Sequence, residues 1–157
     1  MSTFYQGLLS ALVPALIVSM LTAYVTVKLA TKQFYSQKWW EKKAESYSRI
    51  IEELSYQQYY YGVLFDESIG AKNLDEDEFN SLKENYKSSK QLIMKAYASG
   101  AYIISEKTIK SLKDFVKEIE KEEYDCHFSV NYDRWYGATK ECISVIREEA
   151  KKELKSK

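Results

Sequence analysis

Residues 7–27 read GLLSALVPALIVSMLTAYVTV, a run of 21 positions without a charged side chain. Coiled as a helix, the run is about 31 Å long, matching a hydrocarbon core of about 30 Å. It is apolar around its whole circumference, whereas a helix lying on a soluble core is apolar along one stripe only. Residues 1–6 carry no Lys or Arg, and a secretory signal places a positive segment before its apolar core. The expectation is therefore an uncleaved spanning helix.

The flanking charges set its orientation. Lys28, Lys32, Lys38, Lys42 and Lys43 lie on the C-terminal side, and no acidic residue precedes Glu41. Excess positive charge stays on the cytoplasmic side, so the N-terminus is expected outside and the remainder inside. The chain of 157 residues then divides into a transmembrane part, residues 1–33, and one helical cytoplasmic domain, residues 34–157. Lys plus Arg and Asp plus Glu both number 23, and that balance argues against a general attraction to long nucleic acid. In a reducing compartment Cys126 and Cys142 are not expected to form a disulfide. With the single His127 they lack paired zinc-ligand spacing, and both are read as packing residues.

From residue 28 to residue 61 there is no Gly or Pro, so the spanning helix is expected to run on unbroken. Its later part places Trp40, Ala44, Tyr47, Ile51 and Leu54 on one stripe. Gly62 and Gly70 bracket its end. Asn73-Leu74-Asp75-Glu76 reads as a cap and an acidic first turn, ahead of a second helix with Phe79, Leu82, Tyr86, Ile93 and Tyr97 on one side. Ser99-Gly100 reads as its stop, and residues 101–104 as a buried connector. Ser105 then caps a third helix that carries Ile109, Leu112, Val116 and Ile119 to about Glu123. Residues 124–131 break the pattern. A last helix, from about Asp133, shows Tyr136, Thr139, Ile143, Ile146, Ala150 and Leu154 before a tail expected to fray. The fold class is all-α: one spanning helix continuing into a bundle of about four helices.

Inside the span, Gly7, Ala11, Ala15, Ser19 and Ala23 recur at steps of four. Such a small-residue ridge lets membrane helices approach backbone to backbone, and the expected partner is a second copy of the chain. Ser19, Thr22 and Thr26 add hydroxyls, and Pro14 frees one backbone carbonyl; these line a wet path or simply bond back to the helix. At the membrane surface Trp39 and Trp40, with Phe34 and Tyr35, interleave with Lys28, Lys32, Lys38, Lys42 and Lys43. Aromatic rings favour the headgroup level and lysines favour anionic lipid.

For a soluble ligand the candidate is Asn131-Tyr132-Asp133-Arg134-Trp135-Tyr136, close to His127: a guanidinium, stacking faces and hydrogen-bonding groups near a helix N-terminus that favours phosphate. The competing reading makes Trp135 and Tyr136 part of the core and pairs Arg134 with an acid. Ser105, Lys107 and Thr108 form a second anion candidate at the next helix start. No phosphate-cradling Gly loop, helical histidine pair or nucleophile motif is present, so neither catalysis nor a cofactor is expected.

Lys38-Trp39-Trp40-Glu41-Lys42-Lys43-Ala44-Glu45-Ser46-Tyr47, running on to Ile50-Ile51-Glu52, resembles a juxtamembrane segment of many small bacterial single-span proteins, which implies a bacterial inner-membrane anchor. The layout of span, small-residue ridge and Arg/aromatic cluster is similar to the membrane-bound effectors of type III CRISPR systems that sense cyclic tetra-adenylate. That resemblance implies a homotetrameric cytoplasmic domain that binds a cyclic oligoadenylate and perturbs the bilayer in antiviral defence. Two other readings stand beside it: an adaptor docking a protein partner, and a pore-forming toxin that needs no signal.

Overall fold

The computed structural model describes the backbone of residues 2–99, 102–121 and 127–155, and the side chains of residues 14–98, 102–121 and 127–155. Among these are four helices and no strand: α1 (Ser2–Ser68), α2 (Glu76–Ser99), α3 (Glu106–Ile119) and α4 (Phe128–Lys155). The chain falls into two compact units, Met1–Glu41 and Lys42–Lys157.

In the first unit α1 continues through Pro14. From Pro14 to Trp40 every side chain is exposed. Among the described residues, α1 is the one helix long and apolar enough to cross a membrane, and none of its apolar window is buried. The hydroxyls of Ser19 and Thr22 donate to the carbonyls of Leu16 and Val18 at 2.9 and 2.8 Å, the back-bonding open to such residues in a spanning helix.

The second unit is built around the later part of α1. Its buried positions Tyr47, Ile50, Leu54, Gln57, Tyr61 and Leu64 trace one stripe at steps of three and four, with Val63 buried beside its end. Ile50 takes the fully buried place expected of Ile51, which is only half-buried. Gly62 does not stop the helix. Its bare Cα lies against the Tyr136 ring, where an added Cβ would sit 3.5 Å from Cε2. The helix ends six residues later in a Schellman arrangement: Gly70 N–H donates to the Glu67 carbonyl at 3.0 Å and Ala71 N–H to that of Asp66 at 2.8 Å. Gly70 takes a φ of 74°, a left-handed conformation open to residues without Cβ.

Both expected caps are present. Asp75 Oδ1 accepts from Glu78 N–H at 2.7 Å, and Ser105 Oγ accepts from Thr108 N–H at 3.1 Å. Leu82, Ser89 and Ile93 of α2, and Thr108, Leu112 and Phe115 of α3, complete the core with Cys142, Ile143 and Ile146 of α4. Residues 100 and 101, part of the expected stop and connector, lie outside the described residues. Of the connector's remaining residues only Ile104 is fully buried, and Tyr102 is 69% exposed.

Two boundaries differ from expectation. α3 ends at Ile119, short of Glu123, and α4 begins at Phe128, five residues before Asp133. The early start escapes a hydrophobic pattern because Phe128 and Val130 are exposed; the first turn is closed instead by the Val130 N–H bond to the His127 carbonyl. The C-terminal tail holds its helix to Lys155. α1 and α4 run antiparallel: the ring of Tyr61 packs on Trp135, centroids 5.5 Å apart, while Tyr47, earlier on α1, reaches Glu153, later on α4.

Candidate functional site

The segment predicted to hold a ligand occupies the first two turns of α4. A helix of period 3.6 sends Asn131 and Trp135 to one face, and both point inward: Asn131 is 4% exposed and Trp135 is half-buried. The Trp135 ring packs on Tyr61 and, at 5.8 Å between centroids, on Tyr132. Its buried Nε1 has no hydrogen-bond partner among the described residues. Arg134 turns towards α3, with Nε 3.4 Å from Glu118 Oε1 and Nη2 donating to the Lys121 carbonyl. The guanidinium is thus engaged in closing the α3–α4 connection. Tyr132 stacks on Phe128, and burial, with the nearby Glu67 charge, raises its phenol pKa. His127 is exposed, its Nδ1 2.9 Å from Ser129 Oγ. Of the predicted cluster, His127, Tyr132 and Tyr136 keep accessible polar atoms or ring faces, while Asn131, Arg134 and Trp135 serve the fold.

The second anion candidate is also engaged. Ser105 Oγ is the α3 cap, and Thr108, fully buried, has its hydroxyl 3.0 Å from that oxygen. Lys107 lies 3.1 Å from Glu149 Oε1, and Lys152 approaches the same oxygen at 3.0 Å. Hydrogen bonds from Lys152 and then Lys107 hold the Glu149 carboxyl below its ordinary range.

At the predicted collar, Trp39 is 48% and Trp40 37% exposed. Lys38 bonds Glu41 at 2.8 Å, and with Gln37 it lowers the pKa of that carboxyl. Lys43 pairs with Glu153 at 2.9 Å; Lys28, Lys32 and Lys42 are exposed. Of the ridge, Ala15, Ser19 and Ala23 are exposed on α1, whereas the side chains of Gly7 and Ala11 lie outside the described residues.

No family model, curated protein or solved structure matches the chain.

Three features were not singled out in the sequence. The first is a tyrosine cluster at the α1–α2 packing. Tyr60 stacks on Tyr86 with centroids 4.2 Å apart, and the Tyr61 and Tyr86 hydroxyls meet at 3.0 Å. Burial pushes the Tyr60 phenol up to about 12, and Tyr61 further still. The second is a node at Tyr47, whose hydroxyl donates to Glu153 Oε2 at 2.7 Å and accepts from Ser105 N–H at 3.1 Å, joining α1, α4 and the α3 cap.

The third is a pair of cavities. A groove of about 580 Å³ between α3 and α4 is lined by Lys107, Lys110, Asp114, Glu118 and Glu141, above the buried Cys142, and its mixed charges favour no ion of one sign. A smaller cavity of about 320 Å³ has Arg49 of α1 and Lys95 of α2 in its lining and, among the described residues, no carboxylate. A usable signal for it was the absence of Asp and Glu from residue 85 to residue 105, a stretch that carries Lys87, Lys90 and Lys95. Among the described residues no group of three His, Cys, Asp or Glu side chains is placed to hold a metal ion.

Proposed function

We propose that the chain is a non-enzymatic effector anchored in a bacterial inner membrane by one span, N-terminus outside, with its helical domain in the cytoplasm. In this reading copies associate through the ridge that includes Ala15, Ser19 and Ala23. The domain receives an anionic ligand, for which the resemblance suggests a cyclic oligoadenylate, and its rearrangement perturbs the bilayer. One observation carries the reading: α1 is a single helix from Ser2 to Ser68 that bears both the apolar segment and the Tyr47–Ile50–Leu54 face of the bundle core. A ligand that prefers one packing of that core therefore acts on the same helix that enters the membrane.

The test is dye release from liposomes reconstituted with the intact protein, with and without cyclic tetra-adenylate, for wild type and for a variant with Ala15, Ser19 and Ala23 changed to Leu. Ligand-dependent release by wild type and its loss in the variant support the proposal. Equal release without ligand favours the signal-independent pore. No release at any ligand concentration removes the effector reading.

An adaptor role is the second reading, favoured by the apolar side chains exposed at the end of the bundle where α1 stops and α4 starts: Ile69 is 56%, Phe128 71% and Val130 50% exposed. Apolar groups gathered at one end suit a protein partner. Replacing the span with an unrelated monomeric one preserves an adaptor's activity and abolishes that of a self-associating effector.

A further inference from the structure

The cavity of about 320 Å³ between α1, α2 and the segment leading into α3 combines three properties. Its floor is apolar, with Ile50 2% and Ile104 6% exposed. Arg49 and Lys95 bring two cations to its lining, and among the described residues no Asp or Glu shares it. The ring of Tyr102, 69% exposed, stands at the same cavity and offers a face for stacking.

The arginine is the telling member. The chain has three arginines, and Arg134 is held by Glu118. Arg49 lines this cavity and forms no ion pair among the described residues, although Glu45, Glu52 and Glu53 are one turn away along its own helix. A guanidinium presents a planar fork that grips two oxygens of one phosphate, and a nearby ammonium adds a point charge. Inorganic phosphate alone would leave the isoleucine floor and the ring unused. An ester with a planar or apolar appendage uses all three.

We infer that this cavity is a phosphate-ester site, with the phosphate held by Arg49 and Lys95 and the organic part seated on Ile50 and Ile104 beside Tyr102. The volume is at the lower end of the roughly 300–1,000 Å³ typical of ligand pockets, so one copy accepts one nucleotide-sized unit. A ligand with several equivalent phosphates would then engage several copies at once. The site deepens the proposed ligand-receiving role and rests on it. Two sources supply the same chemistry: a soluble adenylate and the headgroup of an anionic phospholipid.

The experiment uses the intact protein in phosphatidylcholine nanodiscs, titrated calorimetrically with AMP and with cyclic tetra-adenylate. In parallel, thermal melts are recorded in nanodiscs with and without phosphatidylglycerol. The variants are Arg49→Gln, Lys95→Gln and Tyr102→Ala, each checked by its melt without ligand, with Arg134→Gln as a control away from the cavity. Adenylate binding that weakens about tenfold or more in the two charge variants, weakens in Tyr102→Ala and persists in the control supports the site with a soluble ligand. A melting rise in phosphatidylglycerol that Arg49→Gln and Lys95→Gln abolish supports it with a lipid. Adenylate binding unchanged in both charge variants overturns the site and leaves the receptor reading standing. The absence of any response to adenylate or phosphatidylglycerol in wild type overturns the site, while dye release separately decides the effector reading.

Discussion

Tyr47→Phe removes one oxygen from the best-connected point of the bundle. Tyr47 is 1% exposed, and its hydroxyl gives a hydrogen to Glu153 at 2.7 Å while receiving one from the Ser105 N–H at 3.1 Å. The ring stays, so the apolar packing is kept. The variant loses a hydrogen bond to a charged acceptor, about 1.5–3 kcal/mol, and an acceptor for a half-buried backbone N–H, about 1–3 kcal/mol. The two losses share one atom and do not add. Lys43 still holds Glu153 at 2.9 Å, which softens the first loss. The net destabilisation is about 2–3 kcal/mol. For a unit the size of Lys42–Lys157, at roughly 4 °C per kcal/mol, the melting temperature falls by about 8–12 °C. Near-UV circular dichroism of the intact protein in detergent micelles measures it. A double-mutant cycle with Glu153→Gln isolates the pair, with an expected coupling of about 1 kcal/mol or more. A Tyr47→Phe melt indistinguishable from wild type, or a coupling of zero, refutes the reasoning.

Gln57 is fully buried and neither end of its amide has a partner among the described residues, so Gln57→Met, nearly equal in volume, stabilises by about 1–3 kcal/mol; a lower denaturant midpoint contradicts this. Arg134→Met leaves Glu118 without its α4 partner and lowers the melting temperature, yet leaves adenylate affinity unchanged; lost affinity with an unchanged melt reverses the assignment of that residue. Because burial raises the Tyr60 phenol from an ordinary value of 10.0 to about 12, stability is fully present below pH 10 and declines as pH rises through about 12, since only the unfolded chain sheds this proton in that window. Phenolate absorbance and circular dichroism recorded together show ionisation and unfolding as one alkaline step, and Tyr60→Phe shifts that step upward. Burial also pushes the Cys142 thiol up to about 11, so in a Cys126→Ser variant maleimide labelling at neutral pH is slow until the protein is unfolded.

The parts of this fold that were legible in the chain are those governed by neighbours in sequence. Asp75 and Ser105 cap helices through bonds to residues three positions on, and the charge-free segment of α1 announces itself by composition. The choice between Ile50 and Ile51 was not local. Both fit a helical stripe, and packing within the bundle core buries the first. The start of α4 was missed for a related reason: its first turn exposes Phe128 and Val130, so hydrophobic periodicity begins only after the helix has begun. At the candidate site the residue types were visible and their pairing was not. Arg134 reads as a ligand-binding guanidinium until α3 delivers Glu118 beside it. Arg49 and Lys95, far apart along the chain, become neighbours of one cavity only when α1 and α2 pack.

The central claim is that the apolar part of α1 lies in lipid with the bundle on its lysine-rich side. It is tested most directly by labelling single cysteines, introduced at Thr3 and at Lys151 in a Cys126→Ser/Cys142→Ser background, with a membrane-impermeant maleimide on intact spheroplasts and on lysed ones. Position 3 labels in both samples and position 151 only after lysis, with the protein in the membrane pellet. Labelling of position 151 on intact spheroplasts, or recovery of the protein in the aqueous fraction, contradicts the account.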